Sequence, residues 1–243
     1  SYNADNLLTA GYIYGEFPLK KWDISGGLRV EHNILSLQSA TDFGKINIEN
    51  PVTSFLPSLN VGYNISDRSL VRFAYSKTVN RPEFREIAPF LFYDYENEAA
   101  KVGNENLKTA QIDNLDLRYE FYPSKGETVS VGGFYKRFVN PIENVTQITT
   151  EQPQFNFANA KSAYNYGVEV EVRKSFKELT DNLYIGRLSV NLNASYIFSE
   201  VDLGSNVTSQ QQVRALQGQS PYIVNLALGY EDESGFSANL IYN

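Results

Sequence analysis

Cysteine and methionine are absent from this 243-residue sequence, and histidine and tryptophan occur once each. Without cysteine there is no disulfide framework and no thiolate metal site. A single histidine, His32, excludes a clustered-histidine metal centre and argues against a Ser-His-Asp hydrolase. Without methionine the sequence does not begin at a start codon, and it reads as a processed chain or an excised piece. No run approaches the roughly 18 apolar residues that a membrane helix needs, and no signal peptide stands at the N-terminus. Positive charge is also in deficit. Lys and Arg number 21 against 28 Asp and Glu, and a net charge of -7 argues against nucleic acid as a partner. The hydrophobic fraction is 42% and the mean hydropathy -0.35, values that by themselves describe a soluble protein. That criterion is blind to β-barrels, whose strands are only half apolar. Aromatic residues are abundant instead, with 17 Tyr and 15 Phe.

The dominant period is two. From Arg187 to Phe198, Leu188, Val190, Leu192, Ala194, Tyr196 and Phe198 alternate with Ser189, Asn191, Asn193 and Ser195. Successive strand residues point to opposite sides, so one face is apolar and the other wet. The stretches Gln111–Phe121 and Tyr166–Arg173 repeat the pattern. Ten such segments lie near 6–17, 22–35, 55–65, 70–79, 110–122, 128–138, 164–176, 187–200, 221–231 and 236–243. The connections alternate in length. Short ones at 18–21, 66–69, 123–127, 177–186 and 232–235 carry turn residues such as Pro18, Asp67, Pro123, Gly126 and Gly235. Long ones occupy 36–54, 80–109, 139–163 and 201–220. Sorted loops of this kind mark outer-membrane barrels, with short periplasmic turns and long extracellular loops. Aromatics at strand ends agree: Trp22, Tyr119, Phe121, Tyr196, Phe198, Tyr222 and Tyr230 would form two interfacial girdles. Tyr222 and Tyr230 would span roughly 20 Å of depth, while Lys77 and Arg137 would snorkel at the outer rim. The expected fold is therefore all-β: an antiparallel up-and-down transmembrane β-barrel with about ten strands present, part of a larger barrel. A soluble all-β protein with variable loops is the competing reading.

Several stretches resemble the TonB-dependent outer-membrane receptors of Bacteroidetes-type bacteria. Ala74-Tyr75-Ser76-Lys77-Thr78-Val79-Asn80-Arg81-Pro82 resembles that family's strand ending in a Ser-x-Thr-x-x-Arg-Pro loop. Gly103-Asn104-Glu105-Asn106-Leu107-Lys108 resembles its Gly-Asn-Pro-x-Leu-Lys-Pro segment, with Glu105 and Thr109 in place of prolines. Gly133-Phe134-Tyr135-Lys136-Arg137, Asn140-Pro141-Ile142-Glu143, Tyr166-Gly167-Val168-Glu169 and Gln217-Gly218-Gln219-Ser220-Pro221-Tyr222 follow in the family's order. The resemblance implies a non-enzymatic receptor or transporter in the outer membrane of a Gram-negative bacterium. It would import a nutrient such as a metal chelate, an oligosaccharide or a peptide. Its implied partners are outer-membrane lipid, the TonB system acting through receptor parts not recognised here, and a surface lipoprotein. Residues 1–243 would be one barrel portion with no recognisable plug domain or TonB box, where the family has a plugged 22-stranded barrel. Two alternatives remain: a complete small barrel with an enzyme at its rim, or a structural outer-membrane subunit that binds partner proteins.

No cofactor is expected, and no catalytic or metal site. The wet strand faces place Arg29, Glu31, Arg72, Asp116, Arg118, Glu169, Glu171 and Arg173 as candidate lumen-lining residues, although a polar lumen would carry such residues in any case. In the long loop 80–109, Phe84, Phe90, Phe92, Tyr93 and Tyr95 are candidate ligand contacts, or pack the loop onto its neighbours. Asp94, Glu96, Glu98 and Glu105 have offsets resembling a calcium loop, but Ala99 stands where the turn needs glycine. Glu169 and Glu171 share a face, a weak basis for glycoside cleavage. His32 belongs to an apolar strand face near the outer rim. No phosphate-binding glycine loop or nucleophile elbow occurs.

Overall fold

A computed structural model describes residues 2–41, 44–95, 99–148, 153–177, 179–204 and 211–243. The elements in chain order are β1 (Tyr2–Leu19), β2 (Trp22–Thr41), β3 (Gly44–Ser66), β4 (Ser69–Asn80), α1 (Phe84–Ile87), β5 (Leu91–Asp94), β6 (Ala99–Val102), β7 (Ala110–Phe121), β8 (Thr128–Val139), β9 (Ile142–Ile148), β10 (Pro153–Asn159), β11 (Ser162–Ser175), β12 (Leu188–Asp202), β13 (Val213–Arg214), β14 (Tyr222–Glu231) and β15 (Ser237–Tyr242). The main sheet runs β1-β2-β3-β4-β7-β8-β11-β12-β14-β15, with β13 added beside β12. Every neighbour pair in it is antiparallel. These ten strands coincide with the ten alternating segments of the sequence.

Closure into a transmembrane β-barrel, whether of these ten strands or as part of a larger barrel, is where the expectation fails. The sheet is open. β1 and β15 stand at its two ends and do not pair with each other. Alternation decides which side of a strand is greasy, but closure also requires strand number, tilt and stagger to agree.

The short connections are tight turns with identifiable chemistry. Leu19 pairs with Trp22 across Lys20-Lys21, with Lys20 at a φ of 52°. Between β14 and β15, Asp232 Oδ1 accepts the Ser234 N–H at 2.9 Å, the Ser234 hydroxyl at 2.6 Å and the Phe236 N–H at 3.1 Å, while Gly235 adopts a φ of 87°. These bonds hold the Asp232 carboxyl below its usual range, the Ser234 hydroxyl foremost.

The long connections are less loop-like than expected. Residues 36–54 are largely strand, because β2 and β3 continue as one long hairpin. Two other connections together build a second sheet, β5-β6-β10-β9, in which β6 and β10 are parallel. With α1 it forms a cap over the polar side of the main sheet at the end away from the tight turns.

Buried apolar residues concentrate there. One cluster holds Leu35, Leu37, Ile87, Ala88 and Leu107, and another Val145, Ala160, Ala163, Val201 and Leu203. Elsewhere the apolar side chains of the main sheet are uncovered: Leu117, Val168, Tyr196 and Tyr222 are 57%, 53%, 65% and 68% exposed. A bare apolar face this broad is not stable in water and marks contact with a membrane or partner.

Candidate functional site: the charged face and its cap

Opposite that apolar face, the alternation brings all eight predicted charged residues onto one side of the sheet. Two ion networks organise them. In the first, Glu31 on β2 is buried, accepts Arg29 Nε at 2.6 Å and is also bonded by Arg81. Arg81 follows the end of β4, so the pair ties the start of the cap back to β2. Its Arg-Pro context was visible in the sequence, but its target fifty residues earlier was not.

The second network crosses four strands. Arg72 on β4 and Arg118 on β7 each place Nε 3.6 Å from Glu120 Oε1. The Tyr122 hydroxyl donates to Glu120 Oε2 at 2.6 Å. Arg118 Nη2 reaches Ser130 Oγ at 2.8 Å and Glu171 Oε2 at 2.5 Å, and Arg173 lies 4.0 Å from Glu171 Oε1. Glu120 and Ser130, both buried, were not among the predicted site residues. Their position on the wet face was the available signal. Asp116 and Glu169 have no ion pair among the described residues. With Arg72, Arg118 and Glu120 they line a depression of about 300 Å³. Most of these pairs are part-exposed, so each contributes at most about 1 kcal/mol and can exchange partners with an incoming charged or polyhydroxylated group.

This arrangement does not support hydrolysis. Glu171 is engaged by Arg118 and Arg173, so Glu169 and Glu171 are not two carboxylates facing each other across a cleft. His32 is exposed and bonds Thr53 Oγ1 through Nδ1 at 2.9 Å, on the face of the sheet opposite its neighbour Glu31 and the charge network. No group of three or more potential metal ligands occurs among the described residues. Of the calcium-like loop, Glu96 and Glu98 lie outside the described residues.

The five aromatics of the cap separate into two groups. Phe84, Phe90 and Phe92 pack against the Leu35–Leu37–Ile87–Ala88–Leu107 cluster. Tyr93 and Tyr95 are 49% and 84% exposed, with ring centroids 5.0 Å apart at 73°. The sequence motifs explain how the cap is held. Glu83 and Glu86 form a reciprocal capping box at α1, and burial pushes the Glu86 carboxyl above its usual range. Gly103 lies against Ala88, where a Cβ would fall 2.2 Å from the Ala88 carbonyl oxygen. Asn104 donates its N–H to Glu86 O at 2.6 Å and its side-chain amide to Phe157 O at 2.9 Å. Asn159 bonds Lys108 in both directions, at 2.7 and 2.9 Å, and Asn140 O at 2.8 Å. Glu143 on β9 is raised by burial, opposed by Arg214 at 2.7 Å.

Over residues 1–243 the sequence matches the outer membrane protein beta-barrel family. The chain belongs to that family. Solved structures agree in fold. The unliganded ferric citrate transporter FecA matches with a TM-score of 0.73 at 17% identity, over 99% of this chain and 32% of its own. The Serratia marcescens hemophore receptor HasR, in complex with its hemophore HasA and heme, gives 0.71 at 10% identity, over 97% and 43%. The copper transporter OprC gives 0.71 at 16%, over 98% and 34%. This member of the family therefore spans a third to under a half of those proteins, and at such identities the likeness is one of fold. No curated protein matches the sequence. The structural matches show a shared fold, and the family match marks the chain as an outer-membrane protein. Those three proteins are themselves transporters and a receptor.

Proposed function

We propose that this chain is a structural wall segment of an outer-membrane receptor, whose charged face binds a partner protein and whose cap presents a binding surface at the outer rim. The carrying observation is the division of one open sheet into a bare apolar face and an opposite face of cross-strand ion pairs beneath the cap. Lipid cannot satisfy backbone N–H and C=O groups, so the free edges at β1 and β15 would be covered by the partner protein.

This chain has no cysteine, so within it each introduced thiol is a single reporter. Single cysteines at Val168 and Glu169, neighbours on opposite faces, are introduced into the full-length protein in outer membranes. A water-soluble maleimide is expected to label the Glu169→Cys variant and spare Val168→Cys. A Tyr95→Cys variant is expected to be labelled on intact cells. Equal aqueous labelling of Val168→Cys and Glu169→Cys would remove the membrane-wall reading.

A finer reading is nutrient import of the TonB-dependent, Bacteroidetes-type kind. It draws support from the matched structures, which include a ferric citrate and a copper transporter, and from the sequence motifs that build the cap. The TonB system would act through parts of the receptor outside this chain, and a surface lipoprotein would meet the cap. Tyr93 and Tyr95 would contact the ligand, and Asp116 and Glu169 would accept its hydroxyl or ammonium groups. Deleting the gene and growing cells on a ferric chelate, an oligosaccharide or a peptide as limiting source tests this. Import requires a defect on one of them; unchanged growth on all three leaves the partner-binding wall.

A further inference from the structure

The cap sheet β5-β6-β10-β9 has two edges, and they are finished differently. At β9, Arg214 Nη2 donates to the Asn144 carbonyl oxygen at 3.3 Å and to Glu143 Oε2 at 2.7 Å, and the Asn144 side-chain amide donates to Gln217 Oε1 at 3.3 Å. Residues from beyond the sheet thus fasten β9. At the opposite edge, β5 is paired by β6 alone. Among the described residues no other backbone group bonds to Leu91–Asp94. A strand with one neighbour turns the N–H and C=O groups of alternate residues outward, unpaired.

The side chains of β5 divide in the same alternating way. Phe92 packs into the cluster of Leu35, Leu37, Ile87, Ala88 and Leu107, which holds the strand in place. Leu91 is 63% exposed, Tyr93 is half-exposed and Tyr95, just past the strand, is exposed. These three share one side of the chain. Edge strands are commonly guarded against pairing by a lysine, a proline or a bulge. Neither residue occurs in Leu91-Phe92-Tyr93-Asp94, and its register with β6 runs without a bulge. Only its shortness guards it.

We infer that β5 is a docking edge for an extended strand of a partner protein, which joins the cap sheet as a fifth strand and lays alternate apolar side chains over Leu91, Tyr93 and Tyr95. The unpaired main chain selects an extended backbone, because only that offers a matching row of donors and acceptors. The length of the edge selects a partner protein over a free peptide. Four residues span about 13 Å, so few main-chain bonds form, and a flexible peptide loses its own conformational entropy in forming them. A strand already ordered within a folded protein does not. The inference rests on the reading that the cap is a binding surface at the outer rim, and it names the kind of partner that surface meets.

The test uses the full-length protein in detergent and three synthetic, fluorescently labelled probes, with binding read by anisotropy. The probes are a cyclic β-hairpin with an alternating Val-Thr outer strand, the same hairpin with the outward amides of that strand N-methylated, and the linear peptide of the same sequence. The hairpin is expected to bind and to lose about tenfold in affinity on N-methylation, the effect of one or two main-chain hydrogen bonds. The linear peptide is expected to bind about tenfold more weakly than the hairpin. Leu91→Lys with Tyr93→Lys is expected to weaken hairpin binding while hydrogen exchange in α1 and β6 stays unchanged. The N-methylation comparison needs no substitution and decides the matter even if this double variant disturbs the cap. No binding of the hairpin at millimolar concentration, equal binding of its N-methylated form, equal binding of the linear peptide, or unchanged binding to an intact-cap double variant overturns the docking edge. So does a photoreactive benzophenone side chain at position 91 that joins two copies of this chain in intact cells. The Tyr95→Cys labelling experiment, run alongside, separates the two readings. If Tyr95→Cys is labelled on intact cells while hairpin binding ignores N-methylation, strand addition fails and the cap at the outer rim stands. If Tyr95→Cys is not labelled, the outer-rim reading fails and the docking edge with it.

Discussion

Replacing Gly103 by alanine tests whether the cap is a packed unit or a loose loop. A Cβ at Gly103 would sit 2.2 Å from the Ala88 carbonyl oxygen and 2.8 Å from the Ala88 carbonyl carbon and nitrogen. All three are backbone atoms, so no rotamer change relieves the clash. Reaching an ordinary 3.4 Å contact requires the two segments to part by about 1.2 Å. That movement stretches the 2.6 Å bond from Asn104 N–H to Glu86 O and opens the junction between Ile87 and Leu107, which are 1% and 2% exposed. Overpacking costs about 1–3 kcal/mol and the lost hydrogen bond about 1 kcal/mol. A loss of about 2–4 kcal/mol corresponds to a fall in amide protection of about 30- to 700-fold. Hydrogen exchange on the full-length protein should show this drop across α1, β5 and β6, with the β7 and β8 amides unchanged. Gly11→Ala is the control, because its Cβ meets nothing within 4 Å, and it should leave every segment as it is. Unchanged protection in Gly103→Ala would refute the packing of this glycine against Ala88 and with it the cap as a cooperative unit.

Three further outcomes are expected. Glu127, in the turn before β8, accepts Lys174 Nζ at 2.6 Å and the Ser175 N–H at 3.2 Å, and the lysine foremost holds its carboxyl below the usual range. A depressed carboxylate stabilises the fold above its unfolded pKa and loses that contribution as pH falls, so protease resistance of this turn should drop below about pH 4.3; Glu127→Gln should abolish the pH dependence. Arg214→Ala leaves the buried Glu143 without its cation and should cost about 3–5 kcal/mol near neutral pH. Because burial already raises Glu143, the penalty grows as pH rises through its folded pKa, so thermal melts should show a smaller loss at pH 4 than at pH 7. Trp22, the sole tryptophan, opens β2 at the tight-turn end, 46% exposed and 4.6 Å from Tyr63 between ring centroids. Its fluorescence should be quenched more by lipids brominated near the headgroup than by lipids brominated at the chain end; the reverse order would remove Trp22 from an interfacial girdle.

What could be read from sequence tracks the length over which a physical period persists. Leu188 to Phe198 alternates for eleven residues, and β12 lies there with its faces as expected. β5 and β6 are four residues each, too short for alternation to differ from chance. Their sheet is completed by a parallel pairing of Ala100 with Gln154, more than fifty residues on, for which no local signal exists. Closure was illegible for a different reason: each strand's pattern is satisfied whether or not its sheet has edges. The candidate site divides the same way. Period two placed Arg118 on the wet face, but Asp116, Glu120, Glu169 and Glu171 share that face. Only the cross-strand register, Arg118 opposite Gly132 and Glu171 opposite Ser130, decides that Glu171 is the close partner and Asp116 is left open. Faces are a property of one strand and partners a property of two. Single substitutions at these charges therefore report mainly the stranded partner, and the coupling of Arg118 to Glu171, or of Arg81 to Glu31, has to be measured as a pair.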